Sequence, residues 1–132
     1  MGLYWSGAPR STVESLAAEI LASQRPDGGW AQLATLSSDA YATGQTLYAL
    51  HEACVLETSD LAYRRGVRFL LTTQFEDGSW LVKTGSFPFQ QLKDTKFPHG
   101  RNQWISATGT SWAAMALALT VEPATPVNAG TR

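Results

Sequence analysis

Apolar side chains recur at helical spacing in four stretches of this chain, and polar or turn-forming residues separate them. Val13, Leu16, Ala17, Ile20 and Leu21 share one face of a helix predicted over residues 12–24. Ser11-Thr12-Val13-Glu14 ahead of them has the form of a capping box, a hydroxyl followed three residues on by a carboxylate. Pro26 and the Asp27-Gly28-Gly29 turn stop this helix. A polar connector, Ala31 to Ser38, leads to Asp39, the expected cap of a second helix over 40–55. Its apolar face is Leu47, Tyr48, Leu50, His51, Cys54 and Val55. Thr58-Ser59-Asp60 opens a third helix, 60–74, carrying Leu61, Val67, Phe69, Leu70 and Leu71. A fourth, 105–120, carries Trp112, Met115, Leu117 and Leu119, and Pro123 and Pro126 stop it.

The stretches are related. Gln24-Arg25-Pro26-Asp27-Gly28-Gly29-Trp30 returns fifty residues later as Gln74-Phe75-Glu76-Asp77-Gly78-Ser79-Trp80, and both copies read Gln-x-x-Asp-Gly-x-Trp. Asp-Gly is turn chemistry, the Gln amide can satisfy backbone groups left open at a helix end, and Trp adds a large apolar plate. The helices after the turns repeat too, Ala42-Thr43-Gly44 matching Ala107-Thr108-Gly109 at an offset of 65. Two glycines at such places point to close helix-to-helix approach, since a helical Gly otherwise costs up to about 1 kcal/mol against Ala. The unit is helix, turn, helix, present twice: an all-α repeat of two helical hairpins, residues 12–55 and 60–120, with a long loop before the last helix. Residues 1–11 read as an N-terminal extension and 121–132 as a flexible tail.

Bulk properties narrow the function little. With 132 residues, 44% of them hydrophobic, the chain can bury a real core and is not disordered. A net charge of −1 gives no reason to expect nucleic acid as a partner. The longest apolar run, Trp112 to Leu119, is far short of the roughly 20 residues that span a bilayer. Met1 to Arg10 lacks the apolar core of a signal peptide. A soluble protein is expected, for which a cytoplasmic place is compatible; the single cysteine, Cys54, fixes no compartment.

Arg65-Gly66-Val67-Arg68-Phe69-Leu70, then Gln74, then Asp77-Gly78-Ser79-Trp80, resembles the QW motif of squalene-hopene and oxidosqualene cyclases. The first copy keeps Gln24, Asp27, Gly28 and Trp30 but has Ile20-Leu21 for the aromatic-Leu pair. The resemblance covers residues 12–120 and extends to the wider α/α-toroid superfamily, with its prenyltransferase β subunits and complement-like thioester domains. It implies an α/α-toroid-type repeat like a C-terminal cyclase region. It also implies a structural role for Gln24, Asp27, Gly28, Trp30, Gln74, Asp77, Gly78 and Trp80, the Gln capping a neighbouring helix. Two hairpins are too few to close a toroid, and solenoid-like units expose apolar ends. A fragment of a longer cyclase-like chain, a protomer that associates with itself and an independent four-helix domain all remain open.

The family's chemistry is not carried over. Hopene-type cyclases protonate an alkene with an Asp in an Asp-x-Asp-Asp-Thr motif; the nearest stretch here, Ser37 to Thr43, has only Asp39, which reads first as a helix cap. Asp39, Asp94 and His99 are the weak candidates for catalysis. Prenyltransferase β subunits bind zinc through Asp, Cys and His. His51 and Cys54 share a helix face but do not reproduce that set, and Cys is more often a small buried hydrophobe, so neither metal nor cofactor is expected. The thioester signature Cys-Gly-Glu-Gln is absent as well. Phe87, Phe89, Phe97 and Trp104 in or beside the long loop, with Tyr41, Tyr48 and Trp112 on helices, are the candidates to contact an isoprenoid or other apolar ligand. The plainer reading of all seven is packing. Two functions follow: a terpene-cyclase-like domain binding an apolar ligand without independent catalysis, or a non-catalytic helical-repeat protein-interaction module.

Overall fold

Each periodic stretch is a helix, and the computed structural model, which describes residues 1–85 and 93–121, has no strand among them. In chain order they are α1 (Gly2–Trp5), α2 (Arg10–Ala22), α3 (Ala40–Glu52), α4 (Leu61–Thr73), a 3-10 turn (Gly100–Asn102) and α5 (Gln103–Ala118). The fold is all-α. The single-turn α1 lies in the predicted N-terminal extension and has no apolar period to announce it. The tail predicted over 121–132 lies, beyond Val121, outside the described residues.

Helix ends differ from the sequence pattern where a neighbour competes. The Ser11–Glu14 capping box does not form: α2 starts at Arg10 behind Pro9, and no side chain caps it. Glu14 Oε1 instead accepts from Arg10 Nε at 2.7 Å. The rest of that guanidinium donates to the carbonyls of Ala53 and Cys54, pinning the start of α2 to the end of α3. Asp39 does cap α3, its Oδ1 accepting from the Ala42 amide at 2.8 Å. That helix ends at Glu52 rather than 55. Cys54 adopts a left-handed φ of 53°, and the amides of Cys54 and Val55 close back on the carbonyls of His51 and Leu50. This is the Schellman pairing, and it leaves Cys54 exposed rather than on the apolar face.

Both hairpins are antiparallel. Arg10 joins α2 to the far end of α3, and Tyr63 near the start of α4 donates its hydroxyl to Ala116 O near the end of α5 at 2.8 Å. Side by side, the hairpins place α3 and α5 parallel: Tyr41 lies against Gly109, and Gly44 against Trp112 and Ala113. A Cβ at Gly44 would lie 2.6 Å from Ala113 N, so the two backbones touch. Helix α4 runs antiparallel to α3, with Leu47 seated on Gly66 and the His51 ring edge-on to Tyr63.

Close approach decides which face of α5 turns inward. Its buried residues are Gln103, Ser106, Gly109, Ala113 and Ala116, while Met115 is exposed and Trp112 only half-buried. The sequence pattern had pointed to the large residues. A helix that meets another at backbone distance must present small ones there. Helix α2 is also incompletely covered: Val13 and Ala17 are buried, but Leu16 and Ile20 of the same stripe are 40% and 41% exposed.

Candidate functional site

The two Asp-Gly turns make the same bonds. In the first, the Arg25 amide donates to Gly29 O, the Gly28 amide to Arg25 O, and the Gly29 amide to Asp27 Oδ1. In the second, Phe75, Gly78 and Ser79 donate to Ser79 O, Phe75 O and Asp77 Oδ1. Gly28 and Gly78 have φ of 90° and 82°, the left-handed region that glycine enters freely. The indoles lie underneath, both rings buried, with Trp30 Nε1 donating to Ile20 O at 2.8 Å and Trp80 Nε1 to Leu70 O at 2.9 Å. Each Trp amide then donates to a threonine hydroxyl on the following helix, Thr43 or Thr110. These hydroxyls are 67 residues apart, so the bonding register of the second helices is not the 65 that the Ala-Thr-Gly match suggests.

Beyond these shared bonds the surroundings differ, above all in the contacts with a neighbouring helix. Gln24 Nε2 donates to Gly28 O in its own turn and, at 2.8 Å, to Ala62 O of α4. Arg65 of α4 donates back to Arg25 O at 2.8 Å. A Cβ on Gly28 would lie 2.5 Å from Arg65 O, and one on Gly29 3.1 Å from the Phe69 ring. Gln74 Nε2 donates to Gly78 O at 3.0 Å and has no second acceptor among the described residues. Beside Gly78 a Cβ would meet only the Gln74 amide, at 3.9 Å. Phe75, in the place of Arg25, is 49% exposed. Turn one is covered by α4; turn two is built alike, and among the described residues no helix covers it.

Three polar residues that sequence reasoning missed fix the chain after turn two. Trp80, Val82 and Thr84 donate their amides to Thr110 Oγ1, Ser106 Oγ and Asn102 Oδ1. Every second residue of an extended segment meets every fourth residue of a helix, antiparallel. Two extended residues advance about 6.8 Å and four helical ones about 6 Å, so the spacings match. Asn102, Ser106 and Thr110, polar residues spaced four apart, were the available signal.

The other chemistry-bearing cluster is Asp77, Ser79 and His99. The Ser79 hydroxyl donates to Asp77 Oδ1 at 2.6 Å, so His99 Nε2, 2.8 Å from Ser79 Oγ, must be a donor. A nucleophile needs the opposite polarity, with the imidazole accepting the hydroxyl proton. Bonds from the Ser79 side chain and amide, with His99 nearby, hold the Asp77 carboxyl below its ordinary range, which makes it a weak base. Ser79 is buried, and the His99 ring packs edge-on to Phe75 at 5.0 Å. The cluster ties the 3-10 turn to turn two.

The remaining candidates are scattered. Both Asp39 oxygens are occupied, by the Ala42 amide and by Gln32 Nε2. Asp94 is held below its ordinary range by bonds from the Lys96 side chain and amide, the reverse of what a proton donor needs. Tyr48 and Trp112 meet across α3 and α5 with ring centroids 5.8 Å apart, both half-buried, as are Tyr41 and Phe97. Trp104 is 53% exposed. Phe87 and Phe89 lie outside the described residues. An open groove along α4, lined by Ser59, Arg64, Arg68 and Leu71, contains none of these residues. Among the described residues no three His, Cys, Asp or Glu side chains group to hold a metal, and no helix is long and apolar enough to cross a membrane. The chain matches no family model, and no solved structure matches it.

Proposed function

We propose that this chain is a non-catalytic helical-repeat interaction module of squalene-cyclase-like, α/α-toroid ancestry, whose turn-two end receives a helix from a partner. One observation carries the reading: turn two reproduces every internal bond of turn one, yet among the described residues no helix engages the Gln74 amide and the Phe75 carbonyl as α4 engages their counterparts. A spare Gln74 N–H donor, the Phe75 carbonyl acceptor and the exposed Phe75 ring are what a docking helix would cover. A peptide of residues 57–73 carrying Phe69→Ala, so that Ser79 is not crowded, tests the seat. Titrated into the full chain, it is expected to shift the Gln74 side-chain and Gly78 amide resonances saturably. Shifts confined to other residues, or none, would overturn the reading. Incubation with squalene is expected to yield no polycyclic product; a product would overturn the non-catalytic part and make Asp39→Asn and Asp94→Asn the first substitutions to make.

The Tyr48–Trp112 pair favours a second reading, an apolar isoprenoid-type ligand lying on α3 and α5. Both rings are half-buried and accessible at one side. Saturable quenching of tryptophan fluorescence by farnesol, weakened in Trp112→Ala, supports it; absence of quenching removes it.

A further inference from the structure

We infer that the helix received at turn two is α2 of a second copy of this chain, docked head to tail; the inference rests on the interaction-module reading above. The indole bonds to Ile20 O and Leu70 O set α2 over α4 at an offset of fifty. By that register Thr12, Ser15 and Glu19 stand where α4 has Ala62, Arg65 and Phe69, the residues that meet turn one. All three are exposed. Leu16 and Ile20, also exposed, stand where α4 has the buried Gly66 and Leu70. The helix that corresponds to the docked one is therefore uncovered along the same face.

Side-chain sizes swap in step on the two sides of the contact. Inside the chain, small Gly66 receives large Leu47 of α3. Carried over by the threonine register of 67, Leu47 becomes Ala114 of α5, which is exposed, and its opposite number is Leu16. Large on small has become small on large. At the second position the Phe69 ring covers Gly29 inside the chain, whereas Ser79 is already buried with its hydroxyl bonded to Asp77 and His99, so Glu19 has no ring-sized gap to fill. Helix α4 itself fits the open seat less well, because Ser79 has the Cβ that Gly29 lacks. Two different surfaces meet in this contact, so it is heterologous and gives a ring or a growing chain according to whether the rotation closes.

The test is the solution mass of the full chain by light scattering on a sizing column, from micromolar to millimolar concentration, with two surface variants. Leu16→Glu spoils the α2 face and Ala114→Glu spoils the α5 side of the turn-two seat; both sites are exposed, and thermal unfolding of each checks that it folds. The expected result is wild-type mass rising above the 14.3 kDa monomer, each variant alone remaining monomeric, and their equimolar mixture doubling the monomer mass. The mixture retains one intact contact, which only a head-to-tail interface provides. A wild type monomeric throughout, variants that associate undiminished, or a mixture that stays monomeric would each overturn the inference. If the wild type is monomeric while the 57–73 peptide still shifts Gln74 and Gly78, the second copy is excluded and the interaction module stands. If the peptide fails too, both are excluded.

Discussion

Replacing Gly44 with alanine should destabilise the protein although alanine is the better helix former. The new methyl carbon would lie 2.6 Å from Ala113 N and from Trp112 C and 2.8 Å from Trp112 O, where ordinary contacts begin near 3.4 Å. The obstacle is backbone, so no rotamer change relieves it and the helices must separate by most of an ångström. A gap of that size forfeits a quarter to a half of each dispersion contact along the seam. Helix propensity returns about 1 kcal/mol, against roughly 1–3 kcal/mol or more for overpacking. Taking the upper part of that range, the net loss is about 2 kcal/mol. Gly66→Ala is the control: its methyl meets only the Leu47 side chain, at 2.9 Å, and should cost less than half as much. Urea denaturation followed by far-UV circular dichroism measures both. With a slope of roughly 1–3 kcal/mol/M, the Gly44→Ala midpoint should fall by about 1 M. A variant as stable as the wild type, or more stable, would mean that α3 and α5 do not touch at Gly44, and the parallel packing would be wrong.

Trp80→Ala should cost about 3–5 kcal/mol, since the ring is buried. Trp80→Phe should cost more than Trp30→Phe in the same denaturation assay, because Ile20 O keeps the Ser23 amide and hydroxyl while Leu70 O keeps only Thr73 Oγ1 at 3.3 Å. Cys54→Gly should stabilise by about 0.5–1 kcal/mol by relieving a left-handed residue, visible as a raised thermal midpoint. Burial pushes the Tyr63 hydroxyl from 10.0 up to about 12. The folded state favours its neutral form, so this stability is present below pH 10 and lost as pH rises through 12. Tyr63→Phe should cost about 1–2 kcal/mol at neutral pH, leaving Ala116 O unpaired, and lose less stability than the wild type between pH 10 and 12 in alkaline titration of the midpoint.

What could be read from the sequence was local. Helical periodicity and Asp-Gly turn chemistry act within a few residues, so four helices and both turns were legible, as was the Asp39 cap. The Ser11–Glu14 box looked as sound as that cap, but Arg10 is four residues from Glu14 and bridges onward to the end of α3, a tertiary bond that no local pattern contains. The inward face of α5 was misread for a related reason. Hydrophobicity favours Met115 and Trp112, whereas the 2.6 Å approach at Gly44 demands Ala113. The repeated Ala-Thr-Gly misled the register, because Gly44 meets α5 while Gly109 meets Tyr41 and Val82, so identical tripeptides answer different neighbours. Asn102, Ser106 and Thr110 were visible as a stripe, but their partners 80, 82 and 84 become evident only once the segment is known to be extended.

Because the two turns share the same bond from their glutamine amide and, among the described residues, a helix reaches only the first, the molecule contains its own reference compound. Gln24→Ala and Gln74→Ala remove the same amide from the same turn geometry. Intrinsic losses common to both cancel on subtraction, and what remains is the energetic worth of one bond between neighbouring repeats, that from Gln24 to Ala62. Such comparisons ordinarily require two different proteins, with all the mismatch of background that entails. Here both arms of the comparison are encoded in one polypeptide and report in one buffer, under one unfolding transition.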